Sequence, residues 1–128
     1  MKKDFFLCGF AVDVILQPNE GGGSFSFPYE RVPRAKMTIG LNRASWADVE
    51  ITLLHEALEF VVTSLGHRFH SDDWTAGTCS TGSFMQMTHD QFSDVVTRVA
   101  RFLVEVEPEV RKAWKAARKA EAKGRSRK

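Results

Sequence analysis

Ser45-Trp46-Ala47-Asp48-Val49-Glu50-Ile51-Thr52-Leu53-Leu54-His55-Glu56-Ala57-Leu58-Glu59-Phe60-Val61-Val62-Thr63-Ser64-Leu65-Gly66 is the stretch on which the fold turns. The Ser45 hydroxyl can accept from a free amide of the first turn, and Asp48, three residues on, completes a capping-box pattern. A helix is therefore expected from Trp46 to about Leu65, ended by Gly66. Its apolar residues fall on two stripes. Trp46, Val49, Leu53, Ala57 and Val61 make one, and Ile51, Leu58, Val62 and Leu65 the other, which predicts a helix buried on most sides.

Such a helix needs other layers around it, and the flanking sequence offers them. Residues 4–17 are rich in aromatic and β-branched types and are stopped by Pro18 and Asn19, as a buried strand would be. Gly21-Gly22-Gly23-Ser24 reads as a flexible loop; without a Lys-Ser/Thr partner the glycines make no phosphate cradle. In residues 35–41, Met37, Ile39 and Leu41 alternate with Lys36 and Thr38, a strand with one wet face. Residues 66–82 read as a loop and residues 83–87 as a short strand.

Thr88-His89-Asp90-Gln91 is a second capping box. It opens an amphipathic helix whose Phe92, Val95, Val96, Val99, Leu103 and Val106 keep the helical period. Pro108 is expected to interrupt it and to sit in the first turn of a final helix, residues 109 to about 123, with a thin stripe of Val110, Ala113, Trp114 and Ala117. Past Gly124 a disordered tail is expected. The predicted fold class is α+β: a small twisted antiparallel or mixed sheet packed on the central helix, a second amphipathic helix and a C-terminal basic helix. Residues 1–108 form the domain in this reading, and residues 109–128 the basic helix and tail.

With 128 residues, 43% of them hydrophobic, the chain can bury one continuous core. No run approaches the roughly 18 to 20 apolar residues of a membrane span. Met1-Lys2-Lys3 imitates a signal peptide, but Asp4 and Asp13 interrupt the apolar stretch and no small-residue cleavage site follows. A cytoplasmic protein without membrane contact is expected. Cys8 and Cys79 are too few for a disulfide framework or a zinc knuckle. The net charge of +2 hides an asymmetry, since residues 111–128 hold nine Lys/Arg against Glu121 alone while the preceding body holds nine against fifteen acids.

Residues four apart lie about 40° apart around a helix, so His55 and Glu59 can reach one ion together. Ile51, Thr52, Leu58 and Val62 share that side, and a carboxylate buried there must be paired, hydrogen-bonded or bound to a metal. A mutual His55–Glu59 salt bridge, or hydrogen bonds from Glu59 to Arg34, Arg43 or a backbone amide, would meet the same need. Glu56 adds a third group in five residues, placed to act as a base on a water activated by the ion.

The segment Leu53-Leu54-His55-Glu56-Ala57-Leu58-Glu59 resembles the H-E-x-x-H signature of the zincin-type metallopeptidases, especially the minimal zincin-like proteins of phage and prophage genomes. The resemblance covers roughly the middle half of the chain, from residues 37–41 to Thr88-His89-Asp90. It implies a zincin-like fold, a divalent ion, zinc or another, and a peptide or protein substrate, with Glu56 as the catalytic base. Glu59 stands where the family has its second histidine. A carboxylate is a legitimate zinc ligand, although its charge makes the ion less acidifying.

Three histidines compete for the third ligand position. His89, about 20° from Val96 in projection, is expected to face the core, giving a set of His55, Glu59 and His89. His67 and His70, with Asp72 or Asp73 nearby, and Cys79 are the alternatives, all in the 66–82 loop. The strand at residues 83–87 is a candidate edge for an extended peptide.

The basic end, with Arg111, Lys112, Lys115, Arg118 and Lys119, can hold phosphates nonspecifically or serve as a solubilising tail. No DNA-reading motif accompanies it. Two functions follow. One is a small metal-dependent hydrolase, peptidase-like and of phage or prophage type. The other is a non-catalytic module of the same fold that engages a host protein or nucleic acid through its basic end.

Overall fold

The apolar stretch at residues 4–17, expected as one strand, is folded back on itself. The computed structural model describes residues 4–66, 68–70, 83–85 and 87–127, with the backbone alone at 68–70 and 83–85. In it β1 (Phe5–Leu7) and β2 (Phe10–Gln17) are antiparallel, with Leu7 opposite Phe10. Cys8 and Gly9 join them with φ of 51° and 77°, the left-handed pair whose twist suits a two-residue hairpin.

After Pro18 and Asn19 the chain crosses to the far edge of the sheet, forms β3 (Gly23–Ser26), and returns as β4 (Ala35–Gly40) between β3 and β2. The order is β1-β2-β4-β3, with β2 and β4 parallel and the other neighbours antiparallel. The glycine run is thus no loose linker. Gly40 donates its amide to the Gly22 carbonyl at 2.7 Å, and Gly23 already pairs with Ile39.

The central helix, α1 (Trp46–Ser64), starts as expected: Ser45 Oγ accepts from the Asp48 amide at 3.2 Å. Its hydroxyl donates in turn to Asp48 Oδ2 at 2.8 Å. Part of the 66–82 region read as loop is a strand, β5 (Arg68–His70), which among the described residues pairs with β6 (Ser83–Met85) in a separate two-stranded sheet.

The last element is one helix, not two. α2 (His89–Ser126) opens on the Thr88/Gln91 capping box, both halves of which form, and runs through Pro108 and past Gly124, where a tail was expected. Proline lacks an amide and crowds the carbonyl four residues back. Here that residue is Val104, and both it and Pro108 lie on the exposed side, where water can satisfy the carbonyl. On the opposite side Val95, Val99, Phe102, Val106 and Val110 form one unbroken buried row.

The result is α+β, with a small mixed four-stranded sheet covered by two helices. Phe5, Leu7, Val12, Met37 and Ile39 from the sheet meet Val49, Leu53, Phe60 and Val61 of α1 and the buried row of α2. Burying a side chain of this size contributes about 1.5–3 kcal/mol. Phe60 anchors α1 at the β3 side, with ring centroids 4.7 Å from Phe27, 5.5 Å from Phe25 and 5.8 Å from Phe10. No helix among the described residues is long and apolar enough to cross a membrane.

Candidate metal centre

α1 is unbroken helix through His55, Glu56 and Glu59, and its rotation relative to the sheet decides what each can do. Val49, Leu53 and Phe60 point to the core, which places Glu56, one turn before Phe60, on the same inward flank. Only 7% of Glu56 is exposed, making it the one charged residue among the buried ones described. The side chains of His55 and Glu59 remain 67% and 29% exposed. The carboxylate that burial isolates is therefore Glu56, whereas the sequence pointed to Glu59. The side shared with Ile51 is open at its start, Ile51 being 63% exposed, and closes toward Val62, which is buried.

The three groups nonetheless converge. One ligand atom from each of His55, Glu56 and Glu59 lies within 4.8 Å of the others. His55 Nε2 is 3.3 Å from Glu59 Oε2. The edge of a tetrahedron with bonds of 2.0–2.1 Å is about 3.4 Å, so this pair already has the separation of two zinc ligands. Bringing Glu56 to the same separation from the 4.8 Å bound would take a side-chain shift of up to about 1.4 Å, within reach of a rotamer change. An imidazole and two carboxylates thus suit a divalent ion in both chemistry and spacing.

Burial pushes the Glu56 carboxyl above its ordinary value; His55 pulls it back and Glu59 adds to the rise. A carboxylate made more basic in this way is a better proton acceptor near neutral pH.

β3 roofs this flank of α1. A Cβ built on Gly23 would lie 2.8 Å from Glu56 Cγ, 3.0 Å from Thr52 Cγ2 and 3.0 Å from the Thr38 carbonyl oxygen. Only glycine lets the strand approach the carboxylate so closely. Gly23 is a site-forming residue that the sequence assigns to a loop, although the alternation Ser24-Phe25-Ser26-Phe27 is itself a strand signal; helical spacing already places Thr52 on the side of His55 and Glu59.

His89 does not join the group. It is the first residue of α2 and exposed. Its projected neighbour Val96 lies off the buried row and is itself 48% exposed, so the direction expected to face the core faces solvent. His67, Asp72, Asp73 and Cys79 lie outside the described residues, as does the side chain of His70. Ser83–Met85 is paired with β5 along one side, whereas β3 has no strand on the side away from β4 among the described residues. Of the two arginines offered as partners for Glu59, Arg34 is engaged by Asp13 at 2.9 Å and Asp4 at 3.0 Å.

The basic residues separate by role. Arg111 stacks over the Trp46 ring at 5.5 Å, and Arg118 pairs with Glu121 at 2.8 Å, while Lys112, Lys115 and Lys119 are exposed. Trp114, 6.0 Å from Trp46, donates its indole N–H to the Arg43 carbonyl at 3.1 Å, tying this half of α2 to the segment that leads into α1.

No protein-family model, no curated protein and no solved structure matches this chain, so its function is read from the convergence of His55, Glu56 and Glu59 beneath β3.

Proposed function

We propose that the protein is a small metal-dependent hydrolase, peptidase-like in chemistry, with His55 and Glu59 as ligands of a divalent ion, zinc for preference, and Glu56 as general base. The observation that carries this reading is the convergence of the three groups with one of them, Glu56, buried and made more basic. The zincin-like resemblance of His55-Glu56-Ala57-Leu58-Glu59, with its minimal phage and prophage relatives, agrees with that assignment. It also accords with a cytoplasmic protein, in the host cytoplasm if a phage encodes it.

A divalent ion bound here would polarise a carbonyl and ease deprotonation of a water. His55 and Glu59 orient and hold it from successive turns of α1. Glu56 takes a proton from the attacking water as the oxygen adds to the carbonyl carbon. It then delivers that proton to the amine as the C–N bond breaks, which returns the carboxylate to its starting state. The free side of β3 suits an extended peptide, since a strand added there bonds through its backbone and runs past Glu56.

Elemental analysis of protein expressed with ample zinc tests the site: about one ion per chain is expected, lost in His55→Ala and in Glu59→Ala. Glu56→Gln should keep the ion while lowering hydrolysis of a casein or peptide-library substrate by about 100-fold or more. A metal-free wild type sinks the proposal. Loss of the ion in Glu56→Gln makes Glu56 a ligand and removes the base on which hydrolysis depends.

A further inference from the structure

α2 carries a second candidate site on its far half, independent of the metal centre. At 100° per residue, Val110, Ala113, Trp114 and Ala117 share one side of the helix, with Val110 buried and the other three half-buried. Lys112, Lys115, Lys119 and Lys123 lie on the opposite side, within an arc of about 80°. All four are exposed. Three of the arginines are otherwise engaged: Arg111 covers Trp46, while Arg118 and Arg125 share Glu121. From Lys112 to Lys123 the helix rises about 16 Å. No acid interrupts the lysine side over that length; Glu109 and Glu105 stand before it, toward the body.

We infer that this lysine row is a docking face for the phosphate backbone of duplex nucleic acid. Charge complementarity selects the occupant. A row of four cations along 16 Å matches about five successive steps of a strand whose charges repeat every 3.4 Å. Folding has already spent the aromatic and aliphatic side chains of this half-helix, Trp114 foremost, on the body. The outward side offers only small residues beside its lysines, Ala116 and Ala122 along the row and Ser126 past its end. A helix that lies in a lipid surface needs large apolar side chains to insert, and this one has none to spare. Rigid presentation favours the face further: Trp114 fixes the rotation of the helix, so Lys112, Lys115 and Lys119 stay aligned with little ordering cost on binding, and only Lys123, past Glu121, pays one.

Fluorescence anisotropy of a labelled 30-base-pair duplex, read against sodium chloride, tests the inference with full-length protein. Binding is expected at 50 mM salt, with log K falling against log[salt] at a slope of about −3 to −4. The quadruple Lys→Gln variant at 112, 115, 119 and 123 should bind at least 10-fold more weakly and lose most of that slope. The quadruple Lys→Arg variant should retain both. If the quadruple glutamine variant does not fold by circular dichroism, the pairs Lys112→Gln/Lys119→Gln and Lys115→Gln/Lys123→Gln should each reduce the slope by about two. Absence of wild-type binding at 50 mM salt overturns the inference, as does unchanged binding in the glutamine variants. Sedimentation with phosphatidylserine vesicles without DNA binding overturns it in favour of a lipid surface. His55→Ala should bind DNA as the wild type does, which separates a failure here from a failure of the metal site.

Discussion

The two helices divide the protein's charge between them. α1 has Asp48, Glu50, Glu56 and Glu59 and no lysine or arginine, while residues 111–126 of α2 hold seven cations against Glu121. They also turn those charges in different directions. α1 aims Glu56 inward beneath β3, where low polarity and close neighbours make each charge costly and chemically useful. α2 aims its lysines outward, where each is inexpensive and the set acts through number and alignment. A net charge of +2 conceals both arrangements. One acid turned inward beside a half-exposed partner suits one small cation held at short range, and a row of cations turned outward suits a large polyanion held through screened contacts.

The comparison can be broken on the α1 side by removing what seats the helix under β3. Phe60→Ala deletes the ring shared by Phe10, Phe25 and Phe27 and should cost about 3–5 kcal/mol in urea unfolding. The lysine row should persist only as far as the fold does. Gly23→Ala is a finer instrument. The added methyl meets Glu56 and Thr52 side chains and a fixed β4 carbonyl, so about 1–3 kcal/mol of stability should be lost. Metal affinity should fall with it while DNA binding at 50 mM salt stays unchanged.

Glu56→Gln sharpens the comparison with the smallest effect, measured on metal-free protein. Because burial raises the Glu56 carboxyl above its usual 4.5, the folded chain keeps that proton longer than the unfolded chain does. Stability must then fall as pH climbs from about the ordinary value through the raised one. The glutamine variant should lack that decline and exceed the wild type at pH 7 by about 1 kcal/mol in thermal unfolding. An equal pH dependence in both proteins would show that Glu56 carries no burial cost.

Local signals recovered the elements whose stability is local. The caps at Ser45 and Thr88, the 46–64 helix and the alternation of β4 were all readable, since each rests on side chains within a few residues of one another. The convergence of His55 with Glu59 was equally readable from helical spacing. Other features depended on what packs from afar. Glycine 23 looks like linker until β4 and Glu56 are placed beside it. The rotation of α1 is set by Phe60 and its aromatic partners, and with it the choice of Glu56 over Glu59 as the buried acid. Pro108 looked like a boundary because propensity counts the lost amide, whereas the buried row from Val95 to Val110 continues across it. His89 was aligned to Val96, an apolar residue that is not part of that row.

The length of α2 has a mechanical meaning. Thirty-eight residues extend about 57 Å, whereas a globule of 128 residues is about 36 Å across. A groove of about 460 Å³ marks where the body lets go, its walls formed by Pro18, Asn19, Leu41 and Asn42 on one side and Ala117, Arg118, Ala120 and Glu121 on the other. The turn beyond Glu121 is a spar held by its own hydrogen bonds and by the Arg125 pair, and so short a free helix is marginal in water. Amide exchange should therefore form a gradient along this one element, slow at Val106 and fast past Lys123. The end of the spar would firm up only when something outside the chain grips it.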